Sequence, residues 1–497
     1  MKTKNIVLKS MLLLLSFGIF SCSEDFLDVN DNPNDPPVST PALTLPVAQQ
    51  SFVMLNGTTM VNLGQFMVYN WSVPSNWSAM GDEMRYQVTS NFYTTIFETS
   101  YLDIFRDLTY IENYEDPSGA VSYAAYDVIA ETIKGFQYQL LVDLYGDVPY
   151  TEANLRIANP TPAYDDAETI YKAVIDSLTD AAVLAQNLPQ TAENPGNQDI
   201  IFHGDMHSWA QFANTIKLRM LVRMSNTGQD QYIQSQIASI TANGAGFIEA
   251  NVTANPGYSD NAGNQSPFYG YVGRGPNNAA LDRNDFTVAS DFALNYLNDS
   301  NDPRLERIYS EAPRGGYKGA PQSITLPGTG FTTQDVSHVG PGLLESSAQD
   351  QPIMLLAEAL FIQAEATVRG YLPGGEAAAQ ELYEAAITAS FEFLGLDAAA
   401  AQEYYTQPEE LISWDASPNK IEAIMTQKWI ALNGTSSIES WIDLTRTGFP
   451  DFLPIAVDSD GVRPVRLLYP VSELARNSEN VPAQTTQDAF TNFPFWK

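Results

Sequence analysis

The sequence Asp143-Leu144-Tyr145-Gly146-Asp147-Val148-Pro149-Tyr150-Thr151-Glu152-Ala153 marks the point at which a long helix ends. Upstream of it, apolar residues recur at steps of three and four, which is typical of the buried face of a helix: Val121, Ala125, Val128, Ile129, Phe136, Leu140 and Leu144. Gly146 can adopt the positive φ that closes such a helix, and Pro149 prevents its continuation. The tyrosines and aspartates of this corner need hydrogen-bond partners if they are buried. We therefore expect a packed junction that fixes the helix to its neighbours.

Paired helices are predicted on both sides of this corner. A helix over residues 90–114 should form an antiparallel hairpin with the helix that ends at residue 145. In a later helix, over residues 376–394, a small, an aromatic and a small residue follow the spacing of a tetratricopeptide repeat: Ala379, Tyr383 and Ala386. We expect a mostly α-helical fold, a degenerate solenoid of helix pairs over about 90–226 and 351–447.

A helix that follows Asp205 carries two features that need interpretation. Arg219 and Arg223 lie towards its C-terminal end, where cations offset the helix dipole. His203 and His207 are four residues apart, which is the spacing of two metal ligands on one helix. However, Asp205 is the predicted N-cap, so His203 precedes the helix, and no third ligand lies nearby in the sequence. We predict no metal site and no cofactor.

The N-terminus has the pattern of a targeting segment. Residues 1–21 contain three lysines followed by a ten-residue apolar run from Met11 to Phe20, about half of the roughly 20 residues that a membrane-spanning helix needs. Cys22 follows directly and is the single cysteine of the 497-residue chain. We predict a signal peptide over 1–21, lipidation of Cys22, an extended tether over 22–40 and one domain over 41–497. A fold with one cysteine must be stable without disulfides.

The charge balance limits the possible partners. The chain has 25 basic and 59 acidic residues, and removal of residues 1–21 takes away three lysines and no acid, so the mature charge is 22 − 59 = −37. Such a chain repels nucleic acids and anionic surfaces. Neither is an expected partner.

Residues 243–350 differ in composition from the rest, because Gly, Pro, Asn and Ser are frequent and helical periodicity is weak. Long loops in a compact protein are commonly functional. The candidate ligand-binding residues of this lobe, together with those of an earlier loop, combine aromatic rings with a guanidinium and an amide: Trp71, Trp77, Tyr86, Phe268, Tyr269, Tyr271, Arg274 and Asn277. Flat rings suit the C–H faces of sugars, and fixed polar groups suit their hydroxyls. The alternative is an ordinary loop region whose aromatic residues fill the core.

Three classes of function remain open. The first is a non-catalytic binding protein, and the second is a glycoside hydrolase with two carboxylates about 5–10 Å apart. With 59 acidic residues some close pair is inevitable, so the sequence alone cannot support a catalytic pair. No Gly-x-Ser-x-Gly, His-Glu-x-x-His or phosphate-loop motif is present, and no catalytic residue is predicted. The third class is a scaffold that only holds a partner protein.

Several motifs resemble those of the SusD/RagB family of outer-membrane lipoproteins. The hallmark is DLYGDVPYTEA at 143–153, and the C-terminal third adds QKWIALNG, ESWIDLTRTGFP and RLLYPVSE. Near the N-terminus, the run from Ile19 to Cys22 resembles a lipobox, and Asp25-Phe26-Leu27-Asp28 matches the start of such proteins after the acylated cysteine. The similarity covers most of the chain, from Cys22 to about Asn477.

This resemblance implies a fold of tetratricopeptide-like pairs and a lipid-anchored position on the outer surface of the outer membrane. It also implies capture of glycan nutrients, or of peptides in some members, and their delivery to a SusC-like TonB-dependent transporter. Ligand contacts vary within the family, so no binding residue is transferred from the hallmark motifs.

Overall fold

The computed structural model describes residues 39–497. The predicted signal peptide, Cys22 and most of the tether lie outside these residues. The first half contains helices at these positions: α1 (Pro41–Met54), α2 (Val61–Met67), α3 (Gly81–Arg85), α4 (Thr94–Thr99), α5 (Arg106–Glu112), α6 (Ala124–Tyr145), α7 (Ala167–Gln186), α8 (Met206–Arg223) and α9 (Asp230–Asn243). Two π-helical segments, Leu55–Met60 and Ser100–Phe105, connect α1 to α2 and α4 to α5.

The second half has short elements first and long helices later. Its helices are α10 (Pro267–Val272), α11 (Asp282–Phe286), α12 (Asp291–Asp299), α13 (Leu305–Ile308), α14 (Leu356–Val368), α15 (Gly375–Phe393), α16 (Ala398–Tyr405), α17 (Lys420–Ala431), α18 (Ser437–Thr447), α19 (Val471–Arg476) and α20 (Asp488–Thr491). The described strands are short: β1 (Trp71–Ser72), β2 (Val252–Ala254), β3 (Val288–Ala289) and β4 (Gln351–Met354). The prediction of a mostly helical fold is confirmed.

The corner after α6 is the packed junction that the sequence predicted. Gly146 has φ 78° and follows the last helical residue, Tyr145. Asp143 accepts hydrogen bonds from the Tyr171 hydroxyl at 2.9 Å and from the Trp496 indole at 2.7 Å. The predicted helical face is buried from Ala125 onwards, whereas Val121 precedes α6 and is exposed.

The helices pack mainly as sequential pairs. Helix α6 packs on α7, α7 on α8, and α14 on α15, with α8 and α17 also against α14. The side chains of Ala379, Tyr383 and Ala386 are all buried, as the tetratricopeptide spacing predicted. The predicted 90–114 helix is instead three segments, α4, a π-helical turn and α5. Ser100 Oγ donates to the Ile96 carbonyl at 2.6 Å, and a side chain that bonds back to its own helix in this way favours such irregularity.

Buried ion pairs connect the two halves of the helical body. Arg223 contacts both Asp143 and Glu439, the latter at 2.5 Å. Arg219 Nη1 lies 3.0 Å from Glu358. These arginines were predicted to offset the dipole of their helix, but their guanidinium groups are fully buried among carboxylates. They link α8 to α6, α14 and α18.

The residues between 243 and 350 attach to this body through two antiparallel strand pairs. Strand β1 pairs with β3, Trp71 opposite Ala289, and β2 pairs with β4. Helix α12 begins at Asp291, because residues 288–289 form β3 and the Ser290 side chain caps α12 by accepting from the Ala293 amide. Residues 41–497 form one compact unit. Within the described chain, no helix combines the length and apolar character needed to cross a bilayer.

Candidate functional site

Three of the predicted ligand-binding residues are core residues. The side chains of Trp71, Tyr86 and Phe268 are 0%, 2% and 3% exposed. Trp71 lies in β1, and its ring centre is 6.4 Å from that of Phe268, so strand pairing and core packing fix both rings. Burial leaves almost none of their surface to a ligand in solution. For these three residues, the burial favours the alternative that the aromatic residues fill the core.

Two other predicted residues, Trp77 and Tyr271, lie at opposite ends of a half-buried row that we call the aromatic strip: Trp77, Phe286, Arg283 and Tyr271. The rings of Trp77 and Phe286 meet edge to face at 5.6 Å. The Arg283 guanidinium carbon lies 5.2 Å from the Phe286 ring centre and 4.0 Å from that of Tyr271. All four residues keep part of their surface exposed. Each member of the strip therefore keeps part of its surface at the exterior of the protein.

A polar chain behind the strip holds Arg283. Its Nη1 donates to Asn62 Oδ1 at 3.1 Å, and the Asn62 amide donates in turn to the Tyr93 hydroxyl. The Tyr93 hydroxyl donates to Glu83 Oε1 at 2.8 Å. Burial raises the pKa of the Glu83 carboxyl. Burial and then the neighbouring Glu83 raise the pKa of Tyr93, so its hydroxyl stays protonated as a donor. Arg283 is thus positioned by a buried network.

Hydrogen bonds connect the loop that carries Trp77 to the lobe formed by residues 243–350. The Ser75 amide donates to the Phe331 carbonyl at 2.7 Å, and the Thr333 amide donates to Asn76 Oδ1 at 2.8 Å. Thr333 Oγ1 also donates to the carbonyl of Asp285, in the helix that carries Arg283 and Phe286. Three segments distant in sequence therefore converge beside the strip.

Clefts open beside the strip. A cavity of about 490 Å³ is lined by the 73–85 segment, including Trp77, and by Ser323 and Leu326. A second, of about 390 Å³, contains Tyr269 and Arg274 among its lining residues. Asn277 is exposed, and its backbone N–H donates to Asp260 Oδ2 at 3.0 Å. The structure brings Trp77 and Tyr271 together, and Tyr269 and Arg274 together.

The sequence interpretation missed Arg283 and Phe286. They are three residues apart in Asp282-Arg283-Asn284-Asp285-Phe286, a spacing that places side chains on one face of a helix. Short helix α11 was not predicted, because five residues give too little periodicity. Glu83 was missed because it acts through the Tyr93 hydroxyl, which contacts both Glu83 and Asn62 only in the folded chain.

His203 and His207, for which the sequence analysis predicted no metal site, belong to no ligand cluster in the described part of the chain. Asp205 caps α8, accepting from the His207 amide at 3.0 Å, and His203 precedes the helix, as predicted. Among residues 39–497, no group of three or more His, Cys, Asp or Glu side chains is arranged to hold a metal ion.

Comparison with known families identifies the class of protein to which this fold belongs. Residues 33–470 match the SusD-like family model described as starch-binding and associating with the outer membrane. The chain belongs to this SusD-like family. A comparison with curated proteins gave no match.

Solved structures share the fold at low sequence identity. An outer-membrane protein from Bacteroides vulgatus, described as involved in nutrient binding, is 22% identical with a TM-score of 0.73, over 92% of this chain and 100% of that one. A chitin-binding SusD homologue from Flavobacterium johnsoniae is 20% identical with a TM-score of 0.72, over 92% and 97%. A SusD-like protein from Bacteroides thetaiotaomicron is 22% identical with a TM-score of 0.71, over 90% and 98%. At these identities the likeness concerns the fold.

Proposed function

We propose that this protein binds oligosaccharides, without catalysing their cleavage, through the aromatic strip. The observation that carries the proposal is the half-buried row of Trp77, Phe286, Arg283 and Tyr271. Ring faces pack on the apolar C–H faces of pyranoses, and a fixed guanidinium donates to their hydroxyls. The chitin-binding structure with the same fold, and the starch-binding description of the family, support a glycan as the ligand class.

We further propose that the bound glycan is passed to a SusC-like TonB-dependent transporter in the outer membrane, with the protein anchored at the cell surface through Cys22. Support comes from the family description, which associates its members with the outer membrane, and from the lipobox-like sequence at residues 19–22. Acyl chains contribute about 0.8 kcal/mol per buried methylene, so several of them hold a protein firmly to a membrane. Substitution of Cys22 by Ser should release the protein from the membrane fraction.

Calorimetric titration of the purified mature protein with starch and chitin oligosaccharides tests the binding proposal. Trp77→Ala should weaken binding of the recognised glycan about tenfold or more, since stacking at a single ring contributes on the order of 1.5 kcal/mol. Arg283→Met keeps much of the side-chain volume but removes the donor, and should weaken binding by a similar factor. Phe493→Ala, at an exposed ring outside the strip, is the matched control and should bind normally.

Three results would change the proposed function. Unchanged affinity in both Trp77→Ala and Arg283→Met would remove the strip from the glycan site. Appearance of shorter sugars during incubation with the bound oligosaccharide would favour the hydrolase. Peptides that bind in competition with the glycan, and lose affinity in Trp77→Ala, would support the RagB-like alternative of a peptide-nutrient binder.

A further inference from the structure

A second groove lies away from the strip and shares no lining residue with it. It is formed by α12, the turn at 407–412 that follows α16, and the segment around Phe452, and it has a volume of about 740 Å³. A groove of this size accommodates several sugar rings or a short peptide. Neither the binding proposal above nor the family description assigns it a role.

Three aromatic rings form one wall of this groove. The rings of Tyr296 and Phe452 are stacked, with centres 5.1 Å apart and planes inclined by 14°. Phe292 lies 5.9 Å from Phe452 at 36° and 6.4 Å from Tyr296 at 34°. Trp429, buried behind them, meets Tyr296 edge to face at 5.5 Å and supports the wall. The three residues are half-buried and line the groove, so each keeps part of its surface exposed.

The remaining lining is acidic. It includes four carboxylates, and neither lysine nor arginine is among the residues that line the groove: Asp291, Asp299, Glu409 and Glu410. Within residues 39–497, none of the four is in an ion pair. Burial, followed by Asp451 and Glu410, raises the pKa of nearby Glu422. The amides of Asn295 and Asn301 lie among these carboxylates.

We propose that this acidic groove is a second binding site whose ligand is an oligosaccharide of amino sugars with free ammonium groups. The aromatic wall packs against the C–H faces of the pyranose rings. The four carboxylates, which have no cationic partner within residues 39–497, attract the ammonium groups, and the amides of Asn295 and Asn301 bond to the hydroxyls. A neutral sugar packs against the aromatic wall but does not reduce the mutual repulsion of the carboxylates. A cationic sugar packs in the same way and also reduces this repulsion.

A matched pair of ligands tests the charge requirement. At mildly acidic pH and low salt, calorimetry compares the glucosamine hexamer with the N-acetylglucosamine hexamer, which has the same rings but no ammonium group. The protein should bind the glucosamine hexamer about tenfold more tightly than the acetylated one at this groove, and added salt should reduce the difference because it screens exposed charges. Equal affinity for the two hexamers would overturn the proposal.

Variants locate the site and separate it from the strip. Glu409→Gln with Glu410→Gln changes only exposed side chains and should weaken binding of the glucosamine hexamer about three- to tenfold. Glu249→Gln with Glu381→Gln, equally exposed and outside the groove, matches the change in net charge and should have no effect. Phe452→Ala, checked for an unchanged melting temperature, should weaken binding about tenfold.

Binding of the glucosamine hexamer at the groove should be independent of the strip. Trp77→Ala should leave the ammonium-dependent binding intact, and the groove variants should leave binding of neutral glycans at the strip intact. If Trp77→Ala abolished the ammonium-dependent binding while the groove variants did not, the binding would lie at the strip. This result would overturn the second site. Preference for a lysine-rich peptide of equal charge over the glucosamine hexamer would overturn the sugar assignment.

Discussion

The indole Nε1 of Trp496 donates a hydrogen bond of 2.7 Å to Oδ1 of Asp143. The donor is the penultimate residue of the chain, and the acceptor begins the hallmark corner 353 residues earlier. Both side chains are buried, at 0% and 1% exposure. Asp143 also forms an ion pair with Arg223. Trp496 and Arg223 are therefore both partners of one buried carboxylate in the helical body. The Trp496 side chain is therefore part of the core.

Substitution of Trp496 by Phe should destabilise the protein by about 1–3 kcal/mol, because Asp143 loses one donor in a buried setting. Urea unfolding followed by circular dichroism measures the change in the free energy of unfolding. Phe493→Leu, at a ring that is 46% exposed, is the control and should change it by less than about 0.5 kcal/mol. An unchanged midpoint for Trp496→Phe would show that the indole contributes packing alone.

Arg446→Met should lower the free energy of unfolding by about 3–5 kcal/mol, the usual penalty when a buried ion pair loses one partner. The guanidinium lies 2.6 and 2.7 Å from the two oxygens of Glu365, and both side chains are buried. Lys172→Met breaks an exposed i,i+4 pair with Glu168 and should cost less than about 0.5 kcal/mol. Chemical denaturation measures the loss in the free energy of unfolding for both variants. Equal losses would contradict a larger contribution of the buried pair.

Gly64→Ala should destabilise the packing of α2 against α18 by about 1–3 kcal/mol or more. A Cβ at Gly64 would lie 2.2 Å from the amide nitrogen of Ile438, and this backbone cannot move away without shifting α18. Gly328→Ala is the control, since a Cβ there meets nothing within 4 Å. The melting temperature should fall for the first variant and stay constant for the second.

Stability should decrease as the pH rises from about 4.5 to 7, in part because of two carboxyls near α5. Burial, followed by the acidic Glu112, raises the pKa of Glu131 to about 7 and that of Asp127 to about 6. Asp180 adds to the repulsion at Glu131, whereas Lys134 opposes it. The folded state therefore binds more protons than the unfolded state in this window, so deprotonation favours unfolding.

The variant Glu131→Gln tests this dependence. It should be more stable than the wild type at pH 8, by about 1 kcal/mol or less because the side chain is partly exposed. Its stability should also change less between pH 5 and 8. Thermal unfolding across this range measures both effects, with Glu249→Gln as an exposed control. A steeper pH dependence in Glu131→Gln would contradict the raised pKa.

The sequence predicted the helical body well because its signals are local. Periodicity located α6, Gly146 its end, and Asp205 the start of α8. The buried roles of Arg219 and Arg223 could not be predicted, since their partner Glu439 lies more than 200 residues away. A cation near a helix end looks the same in sequence whether it faces water or a buried carboxylate.

The candidate site was predicted only in part. Trp77 and Tyr271 were named for their ring chemistry, but Trp71 and Phe268 have the same chemistry and are core residues. The two pairs differ in exposure. The burial of Trp71 depends on the pairing of β1 with β3, and a strand of two residues is too short for the sequence to indicate its partner. The glycan-binding role of the strip and of its neighbours Tyr269, Arg274 and Asn277 stays a prediction.

Arg283 is held between two rings and an asparagine before any sugar arrives. A side chain that already occupies its bound conformation loses little rotational freedom on complex formation. Association at the strip should therefore carry a small conformational entropy penalty, and crystals soaked with ligand should show the same rotamers as the free protein. Selectivity among glycans would then follow from the fixed spacing of the rings, because the surface does not reshape itself around each sugar.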